Sequence, residues 1–106
     1  MELIYYILDD KHRVIPTNDI REWGKFFEKF DNRKVAQETL FNGLDVSTIF
    51  LGIDHDFSSG EIPILFESMV FDKNREELDC QRYTTWEQAV NGHKELVEKW
   101  SKEKKS

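Results

Sequence analysis

Three carboxylates and one imidazole are the side chains whose types and spacing could support chemistry in this sequence. Asp54, His55 and Asp56 directly follow a segment rich in β-branched residues, and Glu67 lies in the next such segment. A hairpin joining the two segments would bring all four side chains together. Carboxylate oxygens are ligands for hard metal ions, and an imidazole shifts the preference toward a transition metal. The alternative, which is the more usual role of such a triplet, is a solvated turn.

Glu67 also stands out because of its neighbours. In an extended strand it shares one face with Leu65, Met69 and Phe71, so a carboxylate falls among apolar side chains. Burying that charge without a partner would be costly. One interpretation is that this face is half-exposed, or that Arg33 or another base pairs with the carboxylate. The other is that Glu67 lines a binding groove.

A cluster of aromatic residues gives a second candidate surface. Trp23, Phe26, Phe27 and Phe30 fall within eight residues, at spacings that place most of them on one face of a helix. Core packing is the expected role of such a stripe. If Trp23 or Phe26 were exposed, it would be a rigid anchor for a protein partner.

The sequence contains no catalytic or cofactor motif. No two of its five glycines have the spacing of a phosphate-binding loop, no Ser or Cys lies in a nucleophile elbow, and no Cys/His set fits a zinc site. We therefore assign no catalytic residue, no cofactor and no metal ligand. His93 lies on an apolar helical stripe, where a histidine is usually a hydrogen-bonded core residue.

The periodicity of apolar residues predicts the elements that must position these side chains. An amphipathic helix capped by Asn18 or Asp19 should run to about residue 30, and a second helix capped by Thr85 should carry a stripe that ends at Trp100. Asn42-Gly43 predicts a hairpin turn. Strands are predicted at residues 3–8, 33–40, 45–53, 64–71 and, as a short edge strand, 81–84.

The predicted order is β-α-β-β-β-(β)-α. It corresponds to an α+β fold of two layers, with two helices on one face of a mostly antiparallel sheet of four or five strands. A chain of 106 residues with 39% hydrophobic content forms one domain, which we expect over residues 1–106, with a lysine-rich frayed end at about 99–106.

Charge and cysteine content restrict the partners and the compartment. The net charge is −6, and residues 45–79 contain nine acidic and two basic residues, which would repel a phosphate backbone. We therefore expect no direct nucleic-acid binding. The absence of a long apolar run or a signal peptide, together with a single cysteine, predicts a cytoplasmic protein without a membrane span.

Several stretches of the chain, taken together, resemble a group of short uncharacterised proteins of phages, prophages and bacteria. The resemblance covers nearly the whole chain and implies no known activity or catalytic residue. It implies a phage-associated accessory context, in which small acidic proteins often bind a host or defence protein. The stretches are YYILDD (5–10), EW (22–23), RKVAQ (33–37), VSTIFLGIDH (46–55), LFESMVF (65–71), RYTTWEQA (82–89) and GH (92–93).

Two functional hypotheses follow from these patterns. The first is a non-enzymatic, phage-type accessory protein that binds a protein partner and inhibits a host nucleic-acid-handling or defence system through its acidic segment 45–79. A charged surface of this kind speeds association with a basic groove. The alternative is a small metal- or ligand-binding module, or an enzyme, built on Asp54, His55, Asp56 and Glu67.

Overall fold

The computed structural model describes residues 5–53 and 62–102, and it has the predicted α+β architecture. Strands β3 to β6 form a four-stranded antiparallel sheet in sequential order, and β1 and β2 form a separate antiparallel hairpin. The elements are β1 Tyr5–Leu8, β2 Val14–Thr17, α1 Ile20–Phe27, α2 Phe30–Arg33, β3 Lys34–Thr39, β4 Asp45–Phe50, β5 Phe66–Phe71, β6 Glu77–Tyr83 and α3 Trp86–Ser101.

Helix α3 covers one face of the four-stranded sheet. Along β4 and β5, fully buried residues alternate with half-buried ones, so each strand has one face toward the core and one toward solvent. The core face carries Phe50 and Phe66, around which Phe26 of α1 and Trp86 of α3 both pack. Both longer helices therefore contribute to the same side of the sheet, as the sequence predicts.

A row of hydrogen-bonded polar side chains runs through this core. The hydroxyls of Ser68 and Thr48 lie 2.5 Å apart, and Thr48 Oγ1 lies 2.7 Å from Nδ1 of His93. On the other side of the ring, Nε2 lies 3.0 Å from Oε1 of Glu38. Because every buried member has a partner, the row avoids the cost of burying unpaired polar groups. The prediction that His93 is a hydrogen-bonded core residue is confirmed.

Gly52 connects the β1–β2 hairpin to the larger sheet. The Tyr6 N–H donates to the Gly52 carbonyl at 2.8 Å, and Tyr5 forms a bridge with Ile53. Gly52 has φ +77°, and a Cβ atom at this position would lie 2.6 Å from the ring of Phe27. A glycine is needed here because it tolerates the left-handed conformation and allows helix α1 to pack against the backbone.

The three described hairpins that enclose short turns share one geometry. In each, the first residue of a five-residue loop donates its N–H to the carbonyl of the fifth, and the fourth donates to the carbonyl of the first. The fourth residue has positive φ: it is His12 in the β1–β2 turn, Gly43 in the β3–β4 turn and Arg75 in the β5–β6 turn. The three residues between the hydrogen-bonded first and fifth residues correspond to a common hairpin loop, in which a type I turn is followed by a left-handed residue.

Several boundaries differ from those predicted by periodicity. The β1–β2 hairpin was expected to be a single strand and a connection through Pro16, and β6 begins at Glu77 rather than at residue 81. The first helix ends at Phe27, because Lys29 is extended and Phe30 starts the separate turn α2.

The contrast between Gly52 and Gly43 gives a test of this packing. Both residues have positive φ, but no described atom lies within 4 Å of a Cβ built at Gly43. Gly43→Ala should cost roughly 1–2 kcal/mol from backbone strain alone. Gly52→Ala should cost roughly 2–5 kcal/mol, because overpacking against Phe27 adds about 1–3 kcal/mol to the same backbone strain. Chemical denaturation of the two variants checks this, and equal losses of stability would contradict the close approach at Gly52.

Asp79 attaches edge strand β6 to the end of α3. Its Oδ2 atom accepts hydrogen bonds from Lys99 Nζ and from Trp100 Nε1, each at 3.0 Å. The hydrogen bond from Lys99 is the largest cause that lowers the pKa of Asp79 below its ordinary value of 3.8. The carboxylate form is therefore favoured in the folded state.

This lowered pKa predicts a loss of stability in acid. The contribution of Asp79 is present above the pKa of the unfolded chain and is lost as pH falls through the lower folded-state pKa. The stability of Asp79→Asn should therefore fall less steeply than that of the wild type below pH ~4. Glu98→Gln removes the same charge from a carboxylate with 75% side-chain exposure and should keep the wild-type slope. Thermal unfolding between neutral and acidic pH compares the three proteins, and parallel curves for wild type and Asp79→Asn would refute the assignment.

Candidate functional site

The structure separates the residues that the sequence singles out. Asp54, His55 and Asp56 lie outside the described residues. Glu67 lies on β5, in register with Ile49 of β4 and Arg82 of β6. Within residues 5–53 and 62–102, no group of three His, Cys, Asp or Glu side chains is arranged to hold a metal ion.

Glu67 is largely buried and paired with a base. Its Oε2 atom lies 3.0 Å from Nε of Arg82, and its side chain is 15% exposed on the face of the sheet opposite α3. Of the two ordinary interpretations, pairing with a base is confirmed, and the base is Arg82 rather than Arg33. Arg33 instead places its guanidinium over the rings of Phe27 and Phe30, at 4.3 and 5.4 Å.

Trp23 and Phe26 are half-buried and engaged in packing. Trp23 lies between Tyr5 and Phe27, with ring centroids 4.8 and 4.6 Å away. Phe26 meets Phe50 edge-on at 5.9 Å. Neither side chain is an isolated exposed anchor. Phe26 also lines a cavity.

That cavity is one of the concave features of the described chain. It has a volume of about 360 Å³ and lies between the β1–β2 turn, α2 and the first turn of α3. We call it the groove. Its lining consists of apolar, aromatic, acidic and basic side chains: Leu8, Asp9, Asp10, His12, Phe26, Asp31, Asn32, Lys34 and Trp86.

Asp9 holds the turn that forms one wall of the groove. Its Oδ1 atom accepts the backbone N–H groups of Lys11 and Arg13 at 2.9 and 2.8 Å, and its Oδ2 atom accepts from Arg13 Nε at 2.8 Å. The Arg13 backbone hydrogen bond is the largest cause that lowers the pKa of Asp9. The carboxylate therefore serves the turn itself, and the turn presents Asp10 and His12 in fixed positions.

His12 and Trp86 form an aromatic stack at the edge of the groove. Their ring centroids are 3.8 Å apart and the planes are nearly parallel, at 7°. The Trp86 ring also contacts the Phe66 ring in an edge-to-face arrangement, with centroids 6.4 Å apart. Trp86 is the first residue of α3 and follows the N-cap Thr85. His12 itself has φ +63°, a conformation that costs a residue with a side chain roughly 1–2 kcal/mol.

The free charges of the groove are mainly negative. No described residue forms an ion pair with Asp10, and Asp31, which is 92% exposed, has only Lys34 Nζ at 3.9 Å. Asn32 is fixed by a hydrogen bond from its amide to the Phe26 carbonyl at 2.9 Å. An aromatic wall next to two available carboxylates suits the recognition of a positively charged group.

The core row of Ser68, Thr48, His93 and Glu38 has the order hydroxyl, imidazole and carboxylate that nucleophilic catalysis uses. In this fold it does not form an accessible site. Thr48 and Ser68 are fully buried, and His93 is 2% exposed. A substrate could not reach either hydroxyl without opening the core, so the row is structural.

Sequence reasoning missed the groove because its members carry no motif. Asp10 and His12 follow the predicted strand 3–8 and fall in no predicted element, and Trp86 falls at the start of the last predicted helix. One local signal was available. Asp9 and Asp72 each begin a five-residue turn in which the aspartate caps the N–H groups two and four residues later.

No family model, no curated protein and no solved structure matches this chain. None of the described helices is both long enough and apolar enough to cross a membrane. The groove is thus the feature from which a function can be inferred.

The shared geometry of two turns predicts that the stack is not needed for folding. Replacing His12 with Gly removes the strain at φ +63° but also the stack with Trp86, which contributes about 0.5–1.5 kcal/mol. Arg75→Gly makes the same backbone change at φ +67° in the β5–β6 turn. Both variants should stay within about 1 kcal/mol of the wild type in chemical denaturation. A loss of several kcal/mol in His12→Gly alone would show that the stack is a core element.

Proposed function

We propose that this chain is a binding protein rather than an enzyme, and that it docks a protein partner through the groove. The observation that carries the proposal is the combination of a preformed aromatic stack with the carboxylates of Asp10, which has no ion-pair partner among the described residues, and Asp31, whose one ion pair is long, at 3.9 Å. Such a surface resembles the centre of a protein interface, where rigid aromatic side chains are enriched. The chemistry favours recognition of a positively charged segment.

The groove is a better docking surface than the acidic segment 45–79. Three carboxylates of that segment form ion pairs: Asp45 with Arg75 at 3.3 Å, Glu67 with Arg82 and Asp79 with Lys99, each at 3.0 Å. These pairs reduce the field that the segment can direct at a partner. We therefore place the contact at Asp10, His12 and Asp31.

The resemblance to phage and prophage proteins supports a role as an accessory protein that acts in the cytoplasm of a bacterial host. In that setting a partner with a basic surface would be a host protein that handles nucleic acid, or a protein of a host defence system. Occupying its basic surface would inhibit it, since the same surface is needed for the nucleic acid.

Capture of a partner from a bacterial lysate tests the proposal. The baits are the wild type, His12→Gly combined with Asp10→Asn, and Arg75→Gly combined with Glu98→Gln as a matched control. The control variant makes the same backbone change and also neutralises one carboxylate away from the groove, but because it loses the Arg75 charge as well, its net charge stays at −6 while that of the groove variant is −6 + 1 = −5. We expect one protein to be retained by the wild type and the control but lost from the groove variant, and to elute as salt is raised.

The identity of captured proteins by mass spectrometry decides the outcome. A partner held equally by all three baits would show that the groove is not the docking surface. Failure to retain any specific protein at either low or high salt would remove the proposed function itself.

A further inference from the structure

The residues that line the groove differ in how well they suit an arginine and a lysine side chain. We infer that the groove takes an arginine side chain of the partner in preference to a lysine. This inference rests on the proposed docking function and adds the chemical identity of the contact. It follows from the shape of the His12–Trp86 stack, from the placement of the carboxylates and from the charge already present in the groove.

The His12–Trp86 stack gives the groove one flat aromatic wall. One face of the His12 ring lies on Trp86 at 3.8 Å, and His12 as a whole is exposed, so a second planar group can stack on its outer side. A guanidinium is planar and stacks on aromatic rings, whereas an ammonium is a compact and strongly hydrated charge. The wall therefore favours arginine.

The positions of the Asp10 and Asp31 carboxylates also favour a guanidinium. Asp10 belongs to the β1–β2 turn and Asp31 to α2, so the two carboxylates stand on different walls of the groove. A guanidinium has five N–H donors that point in several in-plane directions, which suits acceptors on more than one side. The three donors of an ammonium leave from one nitrogen and reach less far.

Lys34 carries a positive charge that competes with an incoming cation for the Asp31 carboxylate. Its Nζ atom lies 3.9 Å from Asp31 Oδ1, a distance at which the ion pair is weak, and the side chain is 43% exposed. An arriving guanidinium can displace Lys34 into solvent and take over the carboxylate. Lys34 thus weakens binding of every cation, and its removal should strengthen binding.

Side-chain mimics test the preference directly. N-acetyl-arginine amide, N-acetyl-lysine amide and the neutral arginine isostere N-acetyl-citrulline amide are titrated at constant ionic strength into the full chain labelled with ¹⁵N. We expect saturable shifts of the Trp86 indole N–H and of the backbone amides around His12. Binding of the lysine compound should be weaker by about threefold or more, and the citrulline compound should not saturate.

Variants locate the site. Asp10→Asn and Asp31→Asn should each weaken arginine binding by about two- to fivefold, the range expected for one exposed ion pair. His12→Gly should weaken it and reduce the preference over lysine, whereas Lys34→Gln should strengthen it. Glu98→Gln, which lies outside the groove, should match the wild type. Arg75→Gly provides the corresponding control for the change of backbone in His12→Gly.

Two outcomes would overturn the inference. One is lysine binding as tight as arginine binding, whether or not the citrulline compound binds, and the other is arginine-induced shifts that persist in the groove variants. The result separates from that of the lysate experiment. A partner lost from the groove variant together with no response to the arginine compound would refute arginine selection but keep the docking function. Selective arginine binding without any captured partner would do the reverse.

Discussion

The structure depends on a polar row buried between α3 and the sheet. Ser68 and Thr48 lie at neighbouring positions of β5 and β4, and His93 of α3 reaches Thr48. None of these groups could be buried without the others, because an unsatisfied polar group in a core is costly. The row therefore fixes how α3 sits on the strands more narrowly than apolar packing would, since packing tolerates sliding while hydrogen bonds do not. Glu38 ends the row at the surface, where its side chain is 52% exposed.

The position of α3 in turn determines the groove. Trp86 begins this helix, and it meets His12 only because the β1–β2 hairpin is attached to the end of β4 through Gly52. The groove is thus assembled from parts that are distant in sequence, and each is held by the core rather than by the loops themselves. A recognition surface supported in this way is preorganised, so little conformational freedom is lost when a partner binds.

The sequence predicted the fold class and missed the groove for related physical reasons. Periodicity identified α3, β4 and β5, because burial on one face imposes a pattern that survives in the residue types. The β3–β4 hairpin was predicted because its left-handed residue is Gly43. The other two turns have the same geometry, but they place His12 and Arg75 at that position instead of glycine, the residue type that most strongly indicates a left-handed position. Consequently β2 and the first half of β6 went unrecognised, and with them the wall formed by Asp10 and His12. The sequence predicted that a base could pair with Glu67. Which base does so depends on strand register, which only the assembled sheet defines.

The two strained turns have a similar balance of strain and contacts, but it is the His12 turn that lines the groove. Arg75 has a clear local role, since it lies over Phe71 at 4.9 Å and bonds Asp45, and these contacts offset the strain of its backbone. His12 lies in the same conformation, and its contact is the stack on Trp86, whose stabilising effect is of about the same size as the strain. A glycine at that position would fold equally well by this account, as Gly43 does in the third turn. Backbone strain that stability does not require is typical of sites where a side chain must be presented. In the proposed docking function, His12 presents a flat ring in the same groove as Asp10 and Asp31, an arrangement that suits a planar cation.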